Sequence, residues 1–324
     1  KFQNQDLTAA NNLLGQMAAG LSGAINGQQA LGLDLGQPPG AGAPIFAVGA
    51  PRVLDARANA GTAVLGITID DSSQVQASDY ELAFDGTNYA LTRLSDNTAV
   101  AGSPYTSAQL AAGVQLDGIT LQLTGGTAAN GDRFLLQPVG NAAQSMQSVL
   151  ASTKGLAAAA PFTGSTGVDN TGTAAIESLS AVNPGYVGTL STAITFTSAT
   201  GDYAWTMSDG SSGTGTWTAG SPITLNGFAL NLNGVPKSGD TLSVVPTVAV
   251  GANNGNALAL ARLSGQGIVA AAGGAGTSAP AQSITDAYAS ALANIGVRVQ
   301  GGKTAASISS ATATEAESAR ANKA

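Results

Sequence analysis

The sequence contains neither cysteine nor histidine. Their absence removes disulfides, thiolate chemistry, imidazole metal ligands and the commonest general base in catalysis. Charge is scarce as well, at 10% of the 324 residues, with 12 basic and 19 acidic side chains and a formal net charge of −7. The basic residues are scattered from Lys1 to Lys323 without a cluster. No basic stripe exists to neutralise phosphates, so nucleic acid is excluded as a partner. No apolar run approaches the roughly 20 residues that a membrane span requires, so no membrane insertion is expected. The chain opens on Lys1 with no signal-peptide pattern behind it. It is expected to be a piece of a longer protein whose targeting signal lies elsewhere.

What remains is a chain rich in Ala, Gly, Ser, Thr, Asn and Gln. A surface covered by neutral polar groups keeps repulsion low and suits subunits that associate with neighbours in salt. From Asp6 onward, Leu7, Ala10, Leu14, Met17, Leu21 and Ala24 recur at alternating spacings of three and four, the seam of a helix. Gly32 and the Gly/Pro-rich stretch 36–44 end it. After a Gly-rich break at 273–276, Ile284, Tyr288, Leu292 and Ile295 form a second seam beginning at Ser283. A short third helix is expected over 256–268. A wet seam forfeits about 1.5–3 kcal/mol per large side chain, so the two ends are expected to pack together. Leu7, Leu14, Met17, Leu21, Ile284, Tyr288, Leu292 and Ile295 are the expected interface.

Between the ends the hydrophobic period changes from 3.6 to 2, with Thr, Val, Phe and Tyr enriched between Gly/Asn/Asp turns. An internal repeat lies here. Tyr89-Ala90-Leu91-Thr92 returns as Tyr203-Ala204-Trp205-Thr206, each followed by Ser-Asp. Gly118-Ile119-Thr120-Leu121-Gln122-Leu123-Thr124-Gly125 returns as Gly227-Phe228-Ala229-Leu230-Asn231-Leu232-Asn233-Gly234. Both copies then reach Gly-Asp, at Gly131-Asp132 and Gly239-Asp240, and a proline, Pro138 or Pro246. The Gly-Asp pairs are read as turn residues, with Gly supplying positive φ and Asp capping the turn. The predicted fold is therefore α+β and multidomain, a helical bundle from both chain ends with two repeated antiparallel β-rich modules inserted. Its parts are an N-terminal helix (1–35), a first β module (45–140), a connector with a short helix near 146–150 (141–186), a second β module (187–250) and C-terminal helices (251–324). A further helix or turn is expected at 174–179.

Catalysis finds no support. Gly301-Gly302-Lys303-Thr304 misses the spacing of a phosphate-binding loop by one residue and follows a helical pattern. No Ser-x-x-Lys pair exists to replace an absent Ser-His pair. Asp70, Asp71, Asp79, Glu81 and Asp85 form the densest acidic group, and are read as a solvated strand edge in place of a glycosidase pair. Asp169, Asn170 and Asp209 supply too few oxygens for calcium. No catalytic, metal or cofactor site is expected. Trp205 takes the repeat position of Leu91 and is expected in a core, whereas Trp217 could be a sugar-stacking platform. That leaves a secreted adhesin or carbohydrate-binding module as the alternative to a structural role.

Four stretches carry a family resemblance. They are Asn4-Gln5-Asp6-Leu7-Thr8-Ala9-Ala10, Asp79-Tyr80-Glu81-Leu82-Ala83-Phe84-Asp85-Gly86-Thr87-Asn88-Tyr89, Gly131-Asp132-Arg133-Phe134-Leu135-Leu136-Gln137-Pro138 with Asn141-Ala142-Ala143, and Asn256-Ala257-Leu258-Ala259-Leu260 followed by Ser283-Ile284-Thr285-Asp286-Ala287-Tyr288-Ala289. In this order they resemble the bacterial flagellar hook-associated protein 1 family. The resemblance implies a non-enzymatic, extracellular subunit of the bacterial flagellum, exported through the flagellum's own secretion channel without a cleaved signal. It implies self-assembly into a ring between hook and filament, with helical domains in the tube wall and β domains outward. The implied partners are the hook protein, hook-associated protein 3 and an export chaperone. Against that pattern the family's N-terminal half and extreme C-terminal helix are expected to be missing here, and with them the chaperone contact. Residues 163–186 and the second module are less family-typical and are read as a variable outer part.

Overall fold

Ala, Leu, Gln and Asn dominate 7–30 with no proline to interrupt them, and in the computed structural model this stretch is helix α1 (Leu7–Ala30). The structure describes residues 6–272 and 280–322, so the Gly-rich break expected at 273–276 lies outside the described residues. The remaining helices are α2 (Ser107–Ala112), α3 (Gly255–Arg262) and α4 (Ile284–Ala321). Ser283 starts α4 by accepting the Asp286 amide on its side chain. The chain divides into two units, one of Lys1–Ala24, Ala47–Gln147 and Ser264–Ala324, the other of Ile25–Phe46 and Ser148–Leu263.

The first unit carries a β module of eight strands: β1 (Arg52–Asp55), β2 (Val64–Ile69), β3 (Tyr80–Phe84), β4 (Tyr89–Arg93), β5 (Thr98–Ala99), β6 (Val114–Leu116), β7 (Ile119–Gly125) and β8 (Arg133–Gln137). They form a five-stranded sheet in the order β1-β8-β3-β4-β5 and a three-stranded sheet β2-β7-β6. All pairings within these sheets are antiparallel. Alternate residues turn inward, so Leu82, Leu91, Ile119, Leu121, Phe134 and Leu136 meet in one core, with Leu110 of α2. Helix α2 was not legible from apolar periodicity. Its signal is the capping box Thr106-x-x-Gln109, in which each side chain bonds the other residue's backbone amide.

The second unit carries β9 (Phe162–Thr166), β10 (Ala175–Ala181), β11 (Thr192–Phe196), β12 (Asp202–Met207), β13 (Ser212–Thr216), β14 (Ile223–Leu225), β15 (Phe228–Asn233) and β16 (Thr241–Pro246). Its sheets run β9-β16-β11-β12-β13 and β10-β15-β14. Counted within each module, the two strand orders are the same. Ile194, Phe196, Phe228, Leu230, Leu242 and Val244 make its core.

Three expectations change. The connector ends well before 186, because 162–166 and 175–181 are strands of the second module; Phe162, Ile176 and Leu179 pack into its core, and a bulge between Ile176 and Ser178 puts the last two three residues apart, which hides the period of two. Residues 146–150 form no helix, with Gln147–Ser148 extended. The third helix is shorter than the expected 256–268, ending at Arg262, and its contacts include the C-terminal end of α1. Asn256 of α3 donates to the carbonyls of Gln28 and Ala157 and accepts from the Gln28 amide, all within the second unit.

Two glycines explain how the part of α1 up to Ala24 sits in the first unit. A Cβ on Gly15 would strike the Val139 carbonyl, and one on Gly20 the Ile268 carbonyl, so neighbouring backbone lies directly on the helix. Glycine costs about 1 kcal/mol in a helix relative to alanine, and here it permits that approach.

Candidate functional site

The end helices do meet, along a seam narrower than the heptad spacing predicts. Met17, Ile268, Val269, Ala287 and Ala291 form a buried cluster, with Leu13, Leu21, Ala24 and Ile284 packed against it. Val269 and Gln282 pair as a short antiparallel bridge beside it. Of the eight residues expected at the interface, Met17, Leu21 and Ile284 lie in this cluster. Ile295 is half-buried. Leu7, Leu14, Tyr288 and Leu292 are exposed, at 47%, 43%, 53% and 52%. A 3.6-residue helix drifts away from a 3.5-residue repeat. The inward line is Leu13-Met17-Leu21-Ala24, met by Ile284-Ala287-Ala291, and the two alanines let the helices approach closely. A second tie joins the ends, since Arg298 pairs with Asp6 at 3.0 Å while also donating to Asn294. Beyond Ile295, α4 is exposed through its remaining described residues, including Val297, Val299 and Ile308. Gly301-Gly302-Lys303-Thr304 is continuous helix there, not a loop.

Beside the seam, within the first unit, lies a cavity of about 1200 Å³ bordered by α1, the first β module and α4. Its polar wall includes Asn12, Gln16, Asp79, Gln137, Asn294 and Arg298. Gln16 donates to the carbonyls of Val75 (2.7 Å) and Ala270 (3.1 Å), tying α1 to two segments distant in sequence. Asp79 is 5% exposed and accepts from Asn12 and Gln137, each at 3.0 Å. Burial pushes its carboxyl above the ordinary range, and the two amide donors only partly oppose that. The Asn12 side-chain oxygen is buried without a hydrogen-bond partner.

The acidic group is thus not one solvated edge. Asp79 is buried, whereas Glu81 pairs with Arg133 on the exposed sheet face at 2.7 Å. Asp85 accepts the amides of Thr87 and Asn88 in the β3–β4 turn, which hold its carboxyl below the usual range. Asp70 accepts from the hydroxyls of Thr68 and Thr120, and Asp71 from Ser73. Asp117 takes the Tyr80 hydroxyl at 2.7 Å and pairs with Arg93, an arrangement that raises the Tyr80 pKa by burial and by the adjacent carboxylate. Among the described residues no group of three metal-ligating side chains gathers. Among them, too, no helix is long and apolar enough to cross a membrane.

Trp217 is 7% exposed, with its ring against Phe196, so its face is not free for a sugar. Trp205 is half-buried and lies over Gly213 of the neighbouring strand, as Tyr203 lies over Gly215. The observation that favoured a carbohydrate-binding reading is removed.

A family model described as "Flagellar hook-associated protein 1, D2-like domain" matches residues 53–138, the first β module. The flagellar hook-associated protein 1 of Escherichia coli K12 is 38% identical over 145 residues, 45% of this chain and 25% of that protein. That of Salmonella typhimurium is also 38% identical, over 143 residues, 44% of this chain and 24% of its own. The solved structure of the flagellar hook junction protein FlgK from Burkholderia pseudomallei superposes with a TM-score of 0.78 at 26% identity, covering 98% of this chain. The chain is similar to flagellar hook-associated protein 1. It spans about a quarter of the curated relatives in the matched regions, and 61% of the FlgK structure. Because that superposition covers nearly all of the chain, the likeness to FlgK extends beyond the module that the family model matches.

Proposed function

We propose that this chain belongs to a structural subunit of the bacterial flagellum, placed between hook and filament, whose work is subunit packing. The superposition on the FlgK junction protein, at a TM-score of 0.78 over 98% of the chain, carries this reading. The helical seam of Met17, Ile284, Ala287 and Ala291 is its scaffold, and the β modules are its projecting parts. The two modules are copies of one unit, supported by their common strand order. The subunit is extracellular, exported by the flagellar secretion system, and works without catalysis. It self-assembles into a ring, with the hook protein and hook-associated protein 3 as axial neighbours and a chaperone before export.

Deletion of the gene in its source organism tests the reading. Cells with hooks but no filaments, restored by the gene in trans, are expected. Normal filaments in the deletion strain would reject it.

A further inference from the structure

The sequence holds five Asn-Gly pairs, beginning at Asn26, Asn130, Asn226, Asn233 and Asn254. Asparagine is among the chemically labile residues. Its carboxamide carbon can be attacked by the backbone nitrogen of the next residue, and only glycine puts no side chain in the way. Either of two restraints slows that attack: a carboxamide tied down by hydrogen bonds, or a following N–H already donated to an acceptor.

The fold supplies a restraint at four of the pairs. Asn26 lies inside α1, and its carboxamide bonds the backbone of Ile45 and Phe46. Asn226 clamps Val187, donating to its carbonyl and accepting its amide. The Gly131 amide donates to the Phe84 carbonyl at 2.9 Å, and the Gly255 amide to the Asn253 side-chain oxygen, also at 2.9 Å. Asn233 differs. It is the exposed last residue of β15, and among the described residues neither its carboxamide nor the Gly234 N–H makes a hydrogen bond.

Gly234 is itself required by the fold. Its φ is +79°, and a Cβ there would strike the Thr173 carbonyl. The matching turn of the first module sets Gly126 against the Thr62 carbonyl at a φ of +68°, but the residue before it is Gly125, which has no carboxamide. The second module thus carries a labile pair where the first does not.

We propose that Asn233 is a self-modification site, at which the folded chain converts its own amide to aspartate and isoaspartate. The Gly234 nitrogen gives up its proton and bonds to Asn233 Cγ. The carboxamide C–N bond breaks, and the departing nitrogen takes up a proton and leaves as ammonia. Water then opens the resulting succinimide ring at one or other carbonyl. Either product places a negative charge at the end of β15. The isoaspartyl product also lengthens the main chain by one methylene, beside the Asn233–Ala175 pair and the bond from the Thr173 amide to the Val235 carbonyl. The site does not depend on the flagellar reading.

The test is ageing of the intact folded chain in 18O-labelled water at mildly alkaline pH, then digestion and tandem mass spectrometry, so that the label marks only conversion during ageing. Asn233 is expected to convert at least about tenfold faster than any of the other four, a barrier difference of roughly 1.4 kcal/mol. In concentrated urea, with the restraints gone, the five rates are expected to draw together. Asn233→Gln is expected to lose most of the isoaspartate that the parent forms. Another pair converting as fast as Asn233 in the folded chain, the same spread of rates in urea, or undiminished isoaspartate in Asn233→Gln would overturn the proposal. The comparison of five sites within one unaltered chain decides the matter even where the variant fails to fold.

Discussion

Asp132 and Asp240 hold the same position in the two β modules. Asp132 accepts the backbone amides of Ala60, Gly61 and Ala129, and Asp240 those of Thr171, Gly172 and Lys237. In each case one donor lies three residues earlier and two lie in the loop before the module's second strand. Each carboxylate joins two loops far apart in sequence, a larger task than capping its own turn. Replacing either residue by Ala leaves three amides without an acceptor. We expect a fall of several degrees in Tm for each variant. Amide hydrogen exchange should accelerate at Ala60, Gly61 and Ala129 in Asp132→Ala, and at Thr171, Gly172 and Lys237 in Asp240→Ala. Protection unchanged at those amides would contradict the assignment.

Helix propensity and packing make opposite forecasts for Gly15. In an open helix Gly→Ala stabilises by about 0.5–1 kcal/mol. Nothing lies within 4 Å of a Cβ at Gly27, so Gly27→Ala is expected to gain that amount. At Gly15 the methyl meets the Val139 backbone carbonyl, which cannot swing aside as a side-chain tip could. Gly15→Ala is therefore expected to cost about 1–3 kcal/mol. Urea denaturation followed by circular dichroism compares the two; equal gains would show that the close approach is not maintained.

The seam predicts a separation between neighbours on α4. Ala291 is buried against Met17, whereas Leu292 is half exposed. Ala291→Leu is expected to destabilise by about 1–3 kcal/mol through overpacking. Leu292→Ala and Tyr288→Ala should stay within about 0.5 kcal/mol, as for other open surface positions. The reverse order would restore the heptad seam.

Much of the fold was legible because period-2 alternation and turn chemistry are local signals. Asp117-Gly118 and Asn226-Gly227 illustrate this, with positive φ at both residues of each pair, as tight hairpins between β6 and β7 and between β14 and β15 require. The repeat alignment slips at its far end. Gly126, not Gly125, matches Gly234, because both have positive φ and lie against a threonine carbonyl, Thr62 or Thr173. The extra residue accompanies a bulge in the β2–β7 pairing between Val64 and Leu65. Less legible was anything set by long-range approach. Glycines that admit a backbone, alanines that admit a helix, and the burial of Asp79 depend on what arrives from distant sequence, and periodicity is blind to it.

The pH dependence of stability separates Asp132 from Asp79, which belong to the same unit. Backbone donors hold the Asp132 carboxyl below the ordinary range, with the Ala129 amide foremost. Its contribution is therefore present above the unfolded pKa, about 3.9, and is lost as pH falls through the folded value. Asp79 is raised by burial, so its sign is opposite. Its contribution is present below the unfolded pKa and is lost as pH rises through the folded value, because the folded state holds the proton more tightly. Asp132→Asn should thus flatten the acid limb of the stability profile below about pH 4. Asp79→Asn should remove a decline that begins near the same pH and runs upward. Both tryptophans, Trp205 and Trp217, lie in the other unit, so their fluorescence does not report on this one. Urea midpoints from pH 2 to 7, read from the NMR signals of Tyr80 and Tyr89, are the appropriate measure. Parallel profiles for wild type and Asp79→Asn above pH 4 would show that the Asp79 carboxyl is not raised by its burial.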